Sequence, residues 1–505
     1  MGVIIRESLK TSIVNYVGVV IGTINVLFLY NKLLTTEEYG LYAILLSFPV
    51  VAAGFINLGI PHVAVRFFNR FANEEKKHHG ILTFLLLIPL AGFLVFLLAF
   101  YGFRGLFEDL YRESPALITF SWVLPVLTFS TLYQTVLEAY CRAHLKVVVP
   151  AVVREIYMKL ANSFLVIGYY LGWFSLSQMV AGLAVIFVIA LLLLLLYIRQ
   201  LGRLFLVWDW TVVKSPVFPE IVKYGLWTMA GGAAATALPH LEKLILPMFN
   251  DGLTHTAIFT IALNIALVIS IPRNTIASIS DPVLARAWAE GNTTEVKTIY
   301  SKSALNLGII GLFLFLGVWC NIDSIFEIIP NPDKYRAGKY VVLLIGLANV
   351  FDMATGLNSE LLKNSAYYRV DFLMFLLRFA VLTITNILLI PVIGYNGAAA
   401  AIFISTLLYN LAKYLFIWRK LDMQPFSRNT LIVAGLALLA YGSTLLLDWH
   451  EGGGLVPNLL EIMAKGLAIV FIFGGGVLFT RVSPDLNGVV LLVKERGAAL
   501  WRKRS

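Results

Sequence analysis

Near-continuous apolar segments recur from residue 13 to residue 480, separated only by short connectors. A helix needs about 20 predominantly apolar residues to cross the hydrocarbon core of a bilayer. Most of the segments reach that length, so the chain reads as an all-α polytopic integral membrane protein. Runs bounded by charges, Gly, Pro or Asn give about fourteen candidate transmembrane helices. They lie at roughly 13–31, 40–60, 81–103, 116–140, 151–172, 179–198, 224–249, 255–284, 303–320, 340–362, 372–391, 398–418, 429–447 and 458–480. The uncharged stretch 160–198 is too long for one crossing, and Gly172-Trp173-Phe174-Ser175 supplies the dividing turn. Gly394-Tyr395-Asn396-Gly397 divides 379–412 in the same way.

Charge pattern sets the expected orientation. With a cytoplasmic N-terminus, 27 of the 39 Lys and Arg fall in inside segments, 6 in outside loops and 6 within spans. Basic residues in short loops decide topology, and the bias recurs at nearly every loop. Both termini are therefore expected in the cytoplasm, with the chain in the inner (cytoplasmic) membrane and in contact with membrane lipids. The net charge of +10 sits in these connector clusters, which excludes nucleic acid as the partner. Cys141 and Cys320 fall near the ends of different spans and form no disulfide framework or metal motif. His62, His78 and His79 lack a ligand partner at metal spacing, so no metal and no cofactor is expected. The first apolar run is too long for a signal-peptide core and is expected to be retained. The tail Val489–Ser505 combines VVLLV with Lys494, Arg496, Trp501, Arg502, Lys503 and Arg504, the composition of a short interfacial helix on anionic lipid.

The stretch Tyr224 to Arg286 lies near the middle of the chain and holds two span-length apolar runs with Glu242, Lys243 and Arg273 inside them. Such charges are costly in lipid and mark functional candidates. Pro61–Gly80 and Ala285–Ser303 each follow the second span of a half; Pro61 stands five residues before Arg66, and Pro282, just ahead of the second segment, four before Arg286. This faint internal repeat predicts two pseudo-symmetric six-helix lobes. The expected division is 1–206 for the N-terminal lobe, 207–420 for the C-terminal lobe, 421–482 for two further helices and 483–505 for a basic cytoplasmic tail.

Three passages carry a family resemblance. Lys32-Leu-Leu-Thr-Thr-Glu-Glu-Tyr-Gly40-Leu-Tyr, followed by Asn57-Leu-Gly59 and Arg66, resembles the opening of the polysaccharide transporter family, whose first outside turn typically reads R-x-L-G-P-E-E-Y-G. Tyr224–Arg286 is similar to that family's seventh and eighth spans, where an acidic-basic pair precedes an apolar triplet. Asn386-Ile-Leu-Leu-Ile-Pro391-Val-Ile-Gly394-Tyr-Asn-Gly397-Ala-Ala-Ala-Ala401 resembles its recurrent turn between spans 11 and 12. The resemblance implies a lipid-linked oligosaccharide flippase, O-antigen flippases included, of the multidrug/oligosaccharidyl-lipid/polysaccharide exporter superfamily. Its implied fold is two six-helix lobes around a central cavity working by alternating access. The implied cargo is a polyprenyl-diphosphate-linked oligosaccharide, with a proton or sodium as coupling ion and glycan polymerase or assembly machinery as further partners. Lys32, Glu242 and Lys243 stand where Arg, Asp and Arg are commoner, and the Arg-rich first span typical of lipid II flippases is absent.

A diphosphate headgroup calls for buried cations. Lys159, Lys243, Arg273, Arg378, Lys413 and Lys465 are the basic residues within spans. Arg273, Lys243, Lys159 and Arg378 are the substrate-binding candidates, with Arg273 near the inside entrance and Lys243 near the outside exit. Lys413 and Lys465 fall near span ends and are expected to be interfacial anchors. Asp352 sits about 18 Å down its span, the most central acid. It is the ion-coupling candidate together with Glu242, and it is expected to hold a raised pKa unless a cation lies beside it. His240 is a weaker proton-relay candidate. Gly18-x-x-x-Gly22 is expected to pack closely against another helix. The longest outside connector is about 321–339, too short for the catalytic domain of a polytopic polymerase, ligase or glycosyltransferase, so an enzyme is not expected. A multidrug exporter of the same superfamily is the main alternative.

Overall fold

The computed structural model describes residues 2–448 and 454–488, and every regular element among them is helical. The expected interfacial helix at Val489–Ser505 lies outside the described residues. Nine described helices are long and apolar enough to cross a membrane by length and composition. One of them, Tyr368–Leu421, contains two of the expected spans. Four further expected spans exist as the helices Val123–Ala143, Met158–Tyr170, Phe218–Ala237 and Arg428–Leu445. The chain divides into two compact units, Met1–Thr260 and Ile261–Ser505, so the seventh expected span packs within the first unit.

In the first unit the helix Val123–Ala143 is the hub and packs against Thr36–Ile56, Ile60–Phe71, Ile81–Gly102 and Leu176–Gln200. Two of its polar residues reach backbone acceptors on those partners. Tyr133 Oη donates to the Leu86 carbonyl and Gln134 Nε2 to that of Phe187, both at 3.0 Å. Such bonds leave few polar groups exposed to apolar surroundings. Gly18 and Gly22 do form a packing groove: a methyl at Gly18 would overlap Glu155, and one at Gly22 would press on Lys159.

The opening motif has a structural explanation. Thr35 caps the helix Thr36–Ile56 in a reciprocal pairing with Glu38, which satisfies two otherwise orphaned N–H groups. Gly40 lies so close to the Leu253 carbonyl that a side chain would collide with it. At Asn57-Leu-Gly59 the helix breaks through two left-handed residues, Leu58 at φ 53° and Gly59 at φ 73°. The Asn57 side chain accepts from the Gly59 N–H at 2.8 Å. The backbone of Gly225 sits against Gly59 where any Cβ would intrude. Arg66 and Arg70 then reach Glu220 at 3.6 and 2.9 Å, and Arg66 stacks 4.3 Å from the Tyr224 ring centroid.

In the second unit Lys339–Ala354 packs against Thr293–Trp319 and Tyr368–Leu421. Tyr368–Leu421 runs through Pro391 and breaks at Ile393 and Gly394, the latter at φ 56°, ψ −135°, a conformation essentially restricted to glycine. The expected hairpin turn is therefore present. The helices Arg428–Leu445 and Leu455–Ile469 add a separate cluster built on Ile309, Leu316, Val433, Ala437, Ile469 and Phe473.

After each early span the chain restarts with the same dipeptide. Ile60-Pro61 follows the break at 57–59, and Ile271-Pro272 follows the 3-10 turn Val268–Ser270. Pro is tolerated there because the first helical turn has no partner for its N–H. This register differs from the one expected at Pro61–Gly80 and Ala285–Ser303, and it places His62 opposite Arg273 in the repeat.

Gly397 packs on the Leu389 carbonyl, where an added methyl would clash with backbone. Gly397→Ala should therefore destabilise the hairpin by about 1–3 kcal/mol, read as a lower melting midpoint in detergent. Gly435→Ala, whose methyl meets nothing within 4 Å, should leave the midpoint unchanged or raise it.

Candidate functional site

The restart at Ile271 sets Arg273 in a first helical turn facing Asp352, late in the helix Lys339–Ala354. Arg273 Nε lies 2.7 Å from Asp352 Oδ2, and its Nη1 lies 3.5 Å from Glu360 Oε1. The two side chains of the closer pair are 15% and 23% exposed, so the charges have largely left water. Desolvation of this kind is offset only when the pair is close and its remaining atoms are bonded.

Asn410 supplies that second condition on the Asp352 side. Its Nδ2 donates to Asp352 Oδ1 at 3.0 Å and to the Thr406 carbonyl at 3.1 Å. Its Oδ1 accepts from Asn358 Nδ2 at 2.8 Å and from Thr355 Oγ1 at 3.2 Å. All four bonding positions of the carboxamide are used. The arrangement requires the chain to turn between Asp352 and Asn358. Gly356 makes that turn at φ 71°, pressed against Ala304 so closely that a side chain cannot enter. The expected single span 340–362 is thus two helices, Lys339–Ala354 and Asn358–Lys363.

One turn further along, Lys413 is fully buried. Its Nζ contacts Asp371 Oδ1 and Ser359 Oγ at 2.6 Å each and Tyr409 Oη at 2.5 Å. Arg378 donates to Thr406 Oγ1 at 3.0 Å and stands 5.1 Å from the Tyr409 ring centroid, while its buried Nε has no hydrogen-bond partner among the described residues. A cavity of about 230 Å³ adjoins this cluster, lined among others by Ser278, Asp281, Glu360, Lys363 and Asp371. Asp281 is held by Lys363 at 3.1 Å and by Asn364 at 2.6 Å. The second unit therefore concentrates alternating cations and carboxylates around one opening.

The structure brings together Arg273 and Asp352 from the candidate residues, with Arg378 in the same cluster. Arg273 is thus the cation that stands beside Asp352. Lys159 lies elsewhere, in the first unit, where it donates to Glu155 Oε2 and the Gly18 carbonyl at 2.8 Å each. Glu242 is buried and Lys243 half-buried in the short helix Leu241–Ile245, and Lys243 makes no ion pair within 4 Å among the described residues. His240 Nδ1 lies 3.2 Å from Ser47 Oγ.

The expectation that Lys413 and Lys465 are interfacial anchors is corrected. Lys413 is enclosed as described, and Lys465 is 4% exposed and ion-paired with Glu461 at 2.5 Å and with Asp448. Nearness to a span end in sequence does not imply nearness to lipid when a neighbouring helix supplies a carboxylate.

Glu360, Asp371, Tyr409 and Asn410 were not singled out from the sequence. Their signal was present: Thr406, Tyr409, Asn410 and Lys413 follow i, i+3, i+4, i+7 spacing, one polar face in an otherwise apolar helix.

A second polar cluster closes one end of the first unit. His78 is buried against Phe68, His144 and Phe205, with ring centroids 5.2, 5.5 and 5.4 Å away. Its Nδ1 accepts from the Asn73 N–H at 3.0 Å. His144 Nδ1 meets Arg203 Nη1 at 2.5 Å. Burial first, then Arg203 and His78, pushes the His144 imidazole down to about 4.

The all-helical bundle has the fold of known membrane transporters. The chain superposes on the lipid II flippase MurJ in an inward closed conformation with a TM-score of 0.70 at 14% identity, covering 94% of this chain and 99% of that one. An inward-facing multidrug resistance MATE family transporter of the MOP superfamily gives 0.59 at 13%, covering 86% and 96%. A Vibrio cholerae MATE transporter gives 0.56 at 12%, covering 84% and 98%. At these identities the likeness is one of fold. No curated protein matches the chain in sequence. Residues 4–288 match the family described as polysaccharide biosynthesis protein, and the chain belongs to that family.

Removing one partner of a buried pair leaves an uncompensated charge, which costs about 3–5 kcal/mol. Lys413→Met should therefore lower the melting midpoint strongly, and adding Asp371→Leu should recover most of the loss. His144 gives a pH test. Its folded pKa lies below the unfolded value of about 6.5, so the unfolded chain binds the proton more readily. Its contribution to stability is complete above pH 6.5 and falls away as pH drops toward 4. His144→Phe should flatten that part of the pH–stability curve.

Proposed function

We propose that this protein moves a polyprenyl-diphosphate-linked oligosaccharide from the cytoplasmic to the outer leaflet of the inner membrane, by alternating access, for cell-surface polysaccharide such as O-antigen or lipopolysaccharide. The observation that carries this reading is a cluster of cations buried in a transporter fold, in a chain of the polysaccharide biosynthesis family. Phosphate oxygens need charge-assisted donors, and buried Arg and Lys supply them. Arg378, with an unpartnered Nε, and Lys243, without an ion pair among the described residues, have spare capacity to receive them. Arg273 and Lys159 would exchange a carboxylate for phosphate, which ties cargo binding to the state of Asp352 and Glu155. Through Arg273, Asp352 is thereby linked to a coupling proton or sodium, with Glu242 as the corresponding acid of the first unit. Transport is favoured over a polymerase or ligase because the longest outer connector is occupied by the short helices Ile322–Ile328 and Pro332–Tyr335. Glycan polymerase and assembly machinery are downstream partners in this reading.

In a deletion strain, lipid-linked sugar should accumulate on the cytoplasmic leaflet, and the wild-type gene should restore its exposure outside. Arg273→Gln and Lys243→Gln should each impair that restoration at equal membrane abundance, whereas Lys243→Arg should be tolerated. Normal flipping by the double Gln variant would contradict the assignment.

A further inference from the structure

Beyond the helix Leu176–Gln200 the chain runs without regular structure over 203–210, a strap that ends at the short helix Thr211–Lys214. Along 205–210 exposure alternates residue by residue, the pattern of an extended segment whose side chains point to opposite faces. One face grips the first unit. Tyr140 Oη donates to the Arg203 carbonyl at 3.0 Å, and the ring centroids of Phe205 and His78 are 5.4 Å apart. Gly80 lets the Val207 carbonyl approach so closely that a Cβ there would lie 2.6 Å from it. Asp209 accepts from the Thr211 N–H at 2.9 Å and stands 3.8 Å from His79 Nδ1.

The other face is apolar and open. Leu206, Trp208 and Trp210 are 62%, 65% and 52% exposed, and the two indole rings meet edge to face with centroids 5.5 Å apart. A backbone pinned at four places holds all three side chains outward, and a fixed apolar patch of this kind marks an interaction surface. Its position and its charges say what covers it. The strap starts three residues after a helix apolar enough to cross a membrane, on which Leu192 and Leu196 are also exposed. It therefore lies at headgroup level, the depth where Trp is enriched because its ring is apolar and its N–H stays wet. Exposed Arg199 and Lys214 bracket the strap, and exposed Lys76 and Lys77 flank the turn that it grips. Of the acids nearby, Glu74 is drawn to Arg203 at 3.7 Å and Asp209 is engaged by Thr211, which leaves Glu75 against four cations. That balance suits a surface of phosphates.

We propose that the strap is an in-plane membrane anchor: Leu206, Trp208 and Trp210 enter the interface of the phospholipid leaflet on their side of the membrane, and Arg199 and Lys214 lie on its phosphates. The anchor needs no cargo and goes beyond the transport reading. Because Phe205, Val207 and Asp209 hold the turn at His78 to Gly80 from the opposite face, the leaflet also braces that turn through the strap.

The test places purified full-length protein in nanodiscs, one copy per disc, made of phospholipid brominated either near the glycerol end or deep in the acyl chains. Subtracting the emission of Trp208→Phe/Trp210→Phe from that of the wild type isolates two of the ten tryptophans, and phenylalanine keeps the face apolar. Bromine near the glycerol end should quench this difference emission at least about twofold, and deep bromine should quench it less, as expected of interfacial indoles. The single variants Trp208→Phe and Trp210→Phe should each give a quenched difference, so the result does not depend on the double variant alone. A difference emission that neither lipid quenches overturns the proposal and points to a protein partner or a second copy on this face. Stronger quenching by deep bromine than by shallow bromine overturns it as well, since the strap would then lie within the acyl core.

Discussion

The contact between Arg273 and Asp352 is the constraint on which the second unit depends. Two unit charges taken out of water cost several kcal/mol each after relaxation, and a salt bridge offsets this only with close geometry and bonded remaining atoms. The local irregularities nearby serve that geometry. The 3-10 turn and Pro272 aim Arg273, and the left-handed Gly356 brings Asn358 and Glu360 back toward Asp352. The break at Gly394 returns the chain so that Thr406, Tyr409, Asn410 and Lys413 face the same centre. A purely apolar sequence would need none of these breaks. Their presence in a membrane fold is therefore evidence that the buried charges have a use beyond cohesion.

The first unit solves the same problem differently. Its hub helix Val123–Ala143 directs Tyr133 and Gln134 to backbone carbonyls of its neighbours, and several close helix contacts in this unit depend on glycines. The residues that carry the family resemblance near the N-terminus belong to this scaffold. Thr35 and Glu38 cap a helix, Gly40 admits the Leu253 carbonyl, and Asn57 to Gly59 form the left-handed break against Gly225. The motif thus encodes how helices meet, while the charged centre of the second unit is where we propose that the bundle binds its cargo.

Much of the fold was legible from apolar run length, because lipid forces each crossing into a helix of predictable size. The turns at Gly172 and Gly394 were legible for a related reason: only glycine enters those backbone conformations cheaply. The helical breaks at Asn57–Gly59, Val268–Ser270 and Gly356 were not, since a short interruption barely changes local hydropathy. Among site residues, Arg273 and Asp352 stood out as isolated charges in apolar runs, but their partnership joins residues 79 positions apart and has no local signature. Lys413 was misjudged because depth along a helix was used where the deciding fact was a carboxylate on the other helical arm of the hairpin, Asp371. Glu360 was hidden because it lies just past a break, where a charge ordinarily faces water.

The most direct measurement replaces the central pair by apolar residues of similar volume, Arg273→Met with Asp352→Leu, and compares melting midpoint with flipping rate in proteoliposomes. Apolar replacements of buried pairs are often neutral or stabilising. The account predicts a midpoint at or above wild type with flipping lost. Wild-type flipping in the same stable variant would show that the pair only holds helices together.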